Sequence, residues 1–282
     1  MKVSVLIENR PSASDGRLAC EWGLSLHVAL AGRAILFDTG ASGRFIDNAE
    51  HLGVDVAAAD VAVLSHHHYD HGGGLRRFLA FNPKAKVYLG ERPDGECWVK
   101  VYGVVKKHAG LDRTLLADFP ARFEVVERPV EIVPDVFLIP GIGGVHPRPA
   151  GNRHLFVKRG AAFVPDAFGH ELVMAVRENG RLVVFTGCSH SGVLNMVDAV
   201  AGRFPGVPIK AVIGGFHLTG LPPLNGIAGS KEEVRAVAAA LLAYPVETVY
   251  TGHCTGEAAF AVLESVMGER IVDLRTGTRL EI

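Results

Sequence analysis

The chain has 282 residues, with 29 lysines and arginines against 30 aspartates and glutamates, so its formal net charge is −1. Hydrophobic residues make up 48% of the sequence and charged residues 21%, which excludes general disorder because enough apolar surface is present to form a core. The balanced charge argues against nucleic-acid binding, which normally requires a basic excess, so we expect no nucleic-acid partner.

The sequence also carries information on compartment and organisation. Four cysteines are too few and too scattered for a disulfide scaffold, and no stretch reaches the roughly 18 apolar residues of a membrane span. The first residues alternate and then reach Glu8, unlike a signal peptide. We therefore expect a cytoplasmic protein without membrane contact. The Gly/Pro-rich segments 140–151 and 220–229 have loop length, so a single domain over residues 1–282 is expected. Nothing in the sequence indicates an oligomeric state.

Short apolar runs that end in turn residues recur along the chain and predict strands. They are residues 3–8, 25–30, 34–37, 61–64, 86–89, 123–126, 136–139, 155–157, 172–176, 182–185, 211–213 and 248–250. The breaks at 31–33 and 178–180 predict hairpins, and the Asn-Gly pair in the second is the stronger turn signal.

Helical spacing is found in four segments. Residues 43–52 end at Gly53, residues 193–200 and 257–267 carry helical periodicity, and Ser230 with Glu233 forms a capping box. Because these helices fall between strands in both halves, the predicted class is mixed α/β. Four polar residues of one segment are expected on a solvated helix face, with a polar lid over the site as the alternative: Tyr102, Lys106, Lys107 and His108.

Several predicted strands run directly into polar clusters. In a mixed sheet such strand ends gather their side chains in one crevice. The clusters are Asp38-Thr39-Gly40, Ser65-His66, Thr186-Gly187-Cys188-Ser189-His190, Gly214-Gly215-Phe216-His217 and Thr251-Gly252-His253.

The segment from His66 to His71 is the most informative of these clusters. His66 and His68, two residues apart after a strand, project to the same side and suit one metal ion, while Asp70 and His71 on the following turn reach a second. Imidazole and carboxylate ligands together suit zinc, with manganese or iron as alternatives. The remaining candidates are His190 and His253 as metal ligands, and His217 as a ligand or as a group that contacts substrate or moves protons.

At these residues the sequence resembles the metallo-β-lactamase superfamily, whose signature is His-x-His-x-Asp-His. It is more closely similar to the branch of metal-dependent hydrolases related to the ribofuranosylaminobenzene phosphate–dihydropterin synthases of methanopterin biosynthesis. Three segments carry the likeness to the branch: Gly187-Cys188-Ser189-His190, Gly214-Gly215-Phe216-His217-Leu218 and Gly252-His253-Cys254-Thr255-Gly256.

The resemblance implies an αββα four-layer sandwich, two mixed β-sheets flanked by helices, with a metal centre at one edge of the sheets. It places one metal on His66, His68 and His190. The second metal falls to Asp70, His71 and His253. Asp38 corresponds to an acid that orients a ligand without binding metal.

The chain departs from the family pattern at two places. Most superfamily members have a bridging aspartate where this chain has Cys188, which we expect to lie beside the metals without ligating them. The segment with His146 and Arg148 replaces a more acidic one, and these two residues are candidates for binding an anionic group of the substrate. His170 lies upstream of Cys188 but is not expected to ligate.

The predicted function is that of a metal-dependent hydrolase. A centre of one or two divalent ions would activate water against a small ester, lactone or phosphoester, with Asp70 and His217 as catalytic residues. Two alternatives stay open: a pterin–arylamine condensing synthase of the methanopterin type, and a non-catalytic metal-dependent binder of small molecules. All three predict a small molecule as the partner.

Overall fold

A computed structural model describes residues 1–221 and 225–282, so residues 222–224 of the predicted loop 220–229 lie outside the described residues. Two of the three sheets contain seven strands each. The strands are β1 (Lys2–Ile7), β2 (Ser25–Leu30), β3 (Arg33–Phe37), β4 (Val61–Leu64), β5 (Lys86–Gly90), β6 (Glu96–Val101), β7 (Val105–His108), β8 (Phe123–Val126), β9 (Val130–Val133), β10 (Val136–Pro140), β11 (Leu155–Arg159), β12 (Ala162–Pro165), β13 (Leu172–Glu178), β14 (Arg181–Phe185), β15 (Ile209–Gly214), β16 (Val246–Thr251), β17 (Ile271–Asp273) and β18 (Arg279–Glu281).

The helices fall mainly after strands of the two large sheets. They are α1 (Arg44–His51), α2 (Tyr69–Gly72), α3 (Leu75–Phe81), α4 (Leu115–Asp118), α5 (Val193–Arg203), α6 (Lys231–Ala243) and α7 (Glu257–Met267). Within the two described stretches, no helix is both long and apolar enough to cross a membrane.

The first sheet has the strand order β18-β1-β2-β3-β4-β5-β8 and the second has the order β17-β16-β15-β14-β13-β10-β9. Each sheet joins an antiparallel part to a parallel part, with β3, β4, β5 and β8 parallel in the first and β14 to β17 parallel in the second. The carboxyl ends of the parallel strands therefore carry the loops that build the site.

Three apolar cores define four layers. One lies between the sheets, a second lies between the first sheet and helices α1 and α3, and a third lies between the second sheet and helices α5, α6 and α7. The alternation along β13 shows this arrangement, because Leu172 and Met174 enter the middle core whereas Val173 and Ala175 enter the outer one. The predicted αββα sandwich is confirmed.

The local signals in the sequence correspond to observed turns and caps. The hairpin β13–β14 turns at Asn179 and Gly180, with φ angles of 53° and 72°, as a two-residue turn with left-handed central residues requires. At the start of α6, the Ser230 side chain accepts from the amide of Glu233, whose carboxylate accepts from the Ser230 amide. Both predictions are confirmed.

The prediction of a helix face over residues 102–108 is wrong. Strands β6 and β7 form a hairpin there and join β11 and β12 in a small four-stranded sheet, in the order β12-β11-β6-β7. In β6, Cys97 is buried and Val99 and Val101 line the cavity, so every second residue of the strand lies on the inner face. This sheet covers one side of the site.

The left-handed conformation of Gly180 can be tested by its effect on the free energy of unfolding. A Cβ at Gly180 meets no atom within 4 Å, so Gly180→Ala adds only the cost of its left-handed conformation, about 1 kcal/mol. A Cβ at Gly202 in helix α5 is equally free, and Gly202→Ala should raise the free energy of unfolding by about 0.5 kcal/mol. Urea denaturation should show midpoints that move in opposite directions, and a shift in the same direction would contradict this account.

Candidate metal centre

The candidate site lies where parallel strands of both large sheets end. Asp38 follows β3, His66 follows β4, His190 follows β14, His217 follows β15 and His253 follows β16. The two sheets pack face to face through the middle core, so these loops from distant parts of the sequence meet at one edge of the sandwich. The structure therefore brings together residues that the sequence shows only as separate strand ends.

One group of donors consists of His66, His68 and His190. All three are buried, and one donor atom from each lies within 4.8 Å of the others. In the part of the chain that the structure describes, the Nε2 atoms of all three have no hydrogen-bond partner. A buried polar atom without a partner costs about 1–3 kcal/mol, so three such atoms together indicate a missing partner that they share.

Neighbouring side chains determine which nitrogen of these rings is free. The Ser65 hydroxyl donates to Asp38 Oδ2 at 2.7 Å, so its oxygen accepts from His66 Nδ1 at 2.9 Å. The Asn152 Oδ1 accepts from His190 Nδ1 at 3.1 Å, while its amide nitrogen donates to the His190 carbonyl. Since each Nδ1 carries the proton, the Nε2 atoms of His66 and His190 present lone pairs.

The second group of donors contains Asp70, His71, Cys188 and His253. One donor atom from each lies within 4.8 Å of the others, and all four residues are buried. His71 Nε2 is 3.0 Å from Cys188 Sγ and 3.1 Å from His253 Nε2, while Asp70 Oδ2 is 3.4 Å from His253 Nε2. The loops after β14 and β16 and the short helix α2 thus converge on the same small volume.

Hydrogen bonds at Nδ1 also orient the imidazole rings of this second group. Asp38 Oδ2 accepts from His71 Nδ1 at 2.6 Å, and Asn9 Oδ1 accepts from His253 Nδ1 at 2.8 Å. The two Nε2 atoms lie 3.1 Å apart. The charge of Cys254 and the hydrogen bond to Asp70 outweigh burial and raise the pKa of His253 to about 9, so a metal that binds this ring takes the place of its Nε2 proton. Such an ion would be bound by both nitrogens and by the Asp70 carboxylate.

Burial keeps the first group ready to bind a cation. Burial, together with the charges of neighbouring imidazoles, lowers the pKa of His66 and of His190 well below the usual range, and lowers the pKa of His68 to about 3. These rings are therefore neutral at pH 7.

In the second group, burial would raise the pKa of Asp70, but its hydrogen bond to His253 and the charge of His71 outweigh burial and lower the pKa. The carboxylate is therefore ionised.

Two buried glutamates hold the backbone of the ligand loops. Glu171 accepts from the amides of His190 and Ser191, each at 2.7 Å. Glu8 accepts from the amides of Arg10 and His253. Burial raises the pKa of both carboxyl groups, whereas the hydrogen bonds from the amides lower it. The loops that carry His190 and His253 are thus held by carboxylates that burial disfavours in their charged form.

The backbone of the site is strained at several ligand-bearing turns. Four non-glycine residues there have left-handed φ angles: Asp38 at 59°, Ser189 at 59°, His217 at 50° and His253 at 49°. Such conformations cost of order 1 kcal/mol or more each and persist only where the surroundings enforce them. Their concentration at the strand ends is typical of a functional site.

A cavity of about 390 Å³ opens onto both donor groups. The small sheet forms one wall, which leaves the donors at the bottom of a cleft lined mainly by apolar side chains. Its lining includes Trp22, His68, Tyr69, Asp70, Val99, Val101, Lys107, Ala109, His154, Leu155, Cys188, His190, His217, Thr219, Leu221 and Cys254. The Trp22 indole donates to Asp70 Oδ2 at 3.0 Å and so orients that carboxylate from inside the cavity.

Of the three remaining candidates, His217 lies at the donor groups, whereas His146 and Arg148 lie beside a neighbouring cavity. His217 lies in the cavity wall, 4.2 Å from the ring of His190 between centroids, with a buried Nδ1 that has no partner in the described ranges. His146 lies 3.2 Å from the Tyr244 hydroxyl and 3.1 Å from Asp198, and Arg148 is exposed and donates to a backbone carbonyl. Both line a neighbouring cavity of about 310 Å³ that His217 also borders.

His170 has both ring nitrogens in use. Its Nδ1 accepts from the His67 amide at 3.2 Å, and its Nε2 donates to Asp166 at 3.1 Å. It lies near His68, Cys97 and Asp166, whose donor atoms are within 4.8 Å of its own. Because neither nitrogen presents a lone pair to that cluster, His170 supports the site structurally.

The sequence predicted an orienting residue at Asp38, which accepts from His71, but it missed the other residues that orient the ligands. Glu8 and Ser65 stand at strand ends, directly beside segments that the sequence marks, and a polar residue ending a buried strand is a signal that could have found them. Asn9, Asn152 and Glu171 have no such signal, because their partners lie between 19 and 244 residues away.

Comparison with known proteins agrees with this architecture. The profile of the metallo-beta-lactamase superfamily matches residues 25–253, and the chain therefore belongs to that superfamily. Among solved structures, Tm1679, a metal-dependent hydrolase of the beta-lactamase superfamily, is 30% identical, with a TM-score of 0.77 over 100% of this chain and 99% of that one.

Two further relatives extend the comparison. The 7,8-dihydropterin-6-methyl-4-(beta-D-ribofuranosyl)-aminobenzene-5'-phosphate synthase of Methanocaldococcus jannaschii is 27% identical over 237 residues, 79% of this chain and 76% of the relative. A diphosphatase from the PhnP family is 15% identical, with a TM-score of 0.53 over 100% of this chain and 97% of that one, and shares the fold.

The orienting role of Asn152 can be tested by metal affinity. In Asn152→Ala the His190 ring loses the acceptor that holds its proton on Nδ1, and zinc affinity should fall about 10- to 100-fold. The exposed neighbour Arg153 provides a matched control, and Arg153→Ala should leave the affinity unchanged. Competition with a chromophoric zinc chelator measures both values. Equal affinities for Asn152→Ala and the wild type would show that the amide does not orient the ring.

Proposed function

We propose that the protein is a metal-dependent hydrolase that acts on a small ester, lactone or phosphoester. The observation that carries this proposal is the convergence of buried, unpartnered imidazole nitrogens on one point. His66, His68 and His190 would hold one divalent ion, and Asp70, His71 and His253 a second. Imidazoles outnumber carboxylates in both groups, which favours zinc over manganese or iron.

When bound, such ions lower the pKa of a coordinated water to near 7 and polarise a substrate oxygen. Asp70 would orient that water, because its carboxylate is ionised, faces the cavity and is fixed by the Trp22 indole. The loops after β4, β14 and β16 hold the donor side chains in place without substrate. Little reorganisation of these side chains would then be required during the reaction.

His217 is the group best placed to stabilise charge on the substrate. Its buried Nδ1 has no partner among the described residues, and its ring borders both the metal cavity and the neighbouring one. A proton on that nitrogen would donate to a developing oxyanion in the cavity. His217 therefore acts on substrate in this proposal, with His146 and Arg148 available to an anionic group that extends into the neighbouring cavity.

The shape of the site favours a small molecule as substrate. A cavity of about 390 Å³ falls in the range of small-ligand pockets, and its walls include Trp22, Val99, Val101 and Leu155. A nucleic acid would instead require a broad basic surface. The formal net charge of −1 gives no support for one.

The likeness to the Methanocaldococcus jannaschii synthase favours a second candidate, a pterin–arylamine condensing synthase. In that reaction the same donors would stabilise a departing phosphate or pyrophosphate. Incubation with a dihydropterin pyrophosphate and an aminobenzene ribotide separates the two candidates, because only a synthase forms the condensed product. A panel of esters, lactones and phosphodiesters tests the hydrolase. Metal binding without turnover in either assay would indicate a non-catalytic binder.

The metal requirement can be tested on single ligands. His190→Ala and Asp70→Ala should each lose metal, measured by elemental analysis of the purified protein, and should lower kcat at least 100-fold. His51 on helix α1 is exposed and bonded to its own helix, so His51→Ala serves as the matched control and should retain both properties. Full activity in metal-stripped wild-type protein would contradict the proposed chemistry.

A further inference from the structure

We propose that Cys188 is a metal ligand common to the two donor groups. This inference rests on the proposed metal centre and goes beyond it, since the sequence pattern favours a Cys188 that lies beside the metals without ligating them. The resemblance to the superfamily implies a bridging carboxylate where this chain has Cys188.

The position of the Cys188 sulfur supports ligation. Its Sγ belongs both to the group with Asp70, His71 and His253 and to a group with His190 and His217, within 4.8 Å in each case. It lies 3.0 Å from His71 Nε2, the lone pair that Asp38 orients toward the site. A sulfur that lies among ligand nitrogens from both groups occupies the place of a shared ligand.

Cys254 provides an internal comparison, because it is equally buried and borders the same cavity. Its Sγ accepts from the His217 amide at 3.2 Å and donates to the Cys188 carbonyl at 3.6 Å, so backbone groups already use it. It belongs to none of the donor groups found over residues 1–221 and 225–282. Cys254 also contacts the His217 side chain, whereas the Cys188 sulfur lies beside His71 and His190, which are among the proposed ligands.

A thiolate changes which metal the centre prefers. Sulfur is a soft ligand that favours zinc over manganese, whereas a carboxylate accepts both. On binding, the metal replaces the thiol proton, which is released to solvent, and no oxidation or reduction occurs. With Cys188 as ligand, the centre should select zinc, and a carboxylate at position 188 should weaken that selectivity.

Cobalt substitution tests the ligand directly, because a thiolate bound to Co²⁺ gives a charge-transfer absorption that imidazole and carboxylate do not. The full-length protein is stripped of metal and titrated with Co²⁺. The wild type and Cys254→Ser should show the near-ultraviolet band, as should Cys20→Ser, whose thiol lies outside the donor groups. Cys188→Ser should bind Co²⁺ without the band. Circular dichroism verifies that each variant is folded.

The other possible results would contradict the inference, and they distinguish failure of the Cys188 ligand from failure of the metal centre. Co²⁺ binding by the wild type without the band, or loss of the band in Cys254→Ser alone, would show that Cys188 is not a ligand while leaving the metal centre intact. Absence of any Co²⁺ binding would overturn the proposed function as well. X-ray absorption of the zinc-loaded wild type needs no variant and should show a sulfur neighbour at about 2.3 Å.

Selectivity gives an independent readout that a merely structural cysteine would not change. Loading from equal concentrations of Zn²⁺ and Mn²⁺ should yield zinc alone in the wild type. Cys188→Asp should take up at least tenfold more manganese relative to zinc, whereas Cys254→Ser should keep the wild-type ratio. An unchanged ratio in a folded Cys188→Asp protein would count against the thiolate as the source of selectivity.

Discussion

The site depends on where four imidazole protons are held. Ser65, Asp38, Asn152 and Asn9 each accept from the Nδ1 of one histidine, so that His66, His71, His190 and His253 all direct Nε2 inward. Among the described residues, the buried Nε2 atoms of His66, His68 and His190 have no partner, and each such atom costs about 1–3 kcal/mol. A cation bound to these nitrogens would offset that cost.

The rest of the structure offsets the cost of that arrangement. Seven-stranded sheets on either side of a continuous apolar core supply the rigidity that holds the loops, and buried Glu8 and Glu171 fix the loop amides. Left-handed residues at the strand ends, among them Asp38 and His253, show that the scaffold enforces conformations that the loops alone would not adopt. The stability of the sheets thus compensates for the strained backbone and the buried polar groups at the strand ends.

The small sheet and the Cys188 thiol contribute to the cleft in different ways. Strands β6, β7 and β11 convert an exposed edge into an enclosed apolar cavity, which limits the substrate to a small molecule in the function proposed here. Cys188 introduces a soft donor among imidazoles, whereas the single carboxylate among the donors, Asp70, also faces the cavity. In the proposed function, metal selectivity and substrate size would therefore depend on different elements of the same cleft.

The sequence by itself determined the local features: the strand runs, the turn at Asn179-Gly180, the Ser230 capping box and the His66–His71 motif. Each of these depends on interactions within a few residues, which a linear pattern records. Only the tertiary structure decided that residues 102–108 form a strand over the cavity, and that Asn9, Asn152 and Glu171 orient ligands far away in the chain. It likewise placed Cys188 among the ligand nitrogens. These are long-range contacts, created only when the two sheets pack and bring their strand ends to one edge.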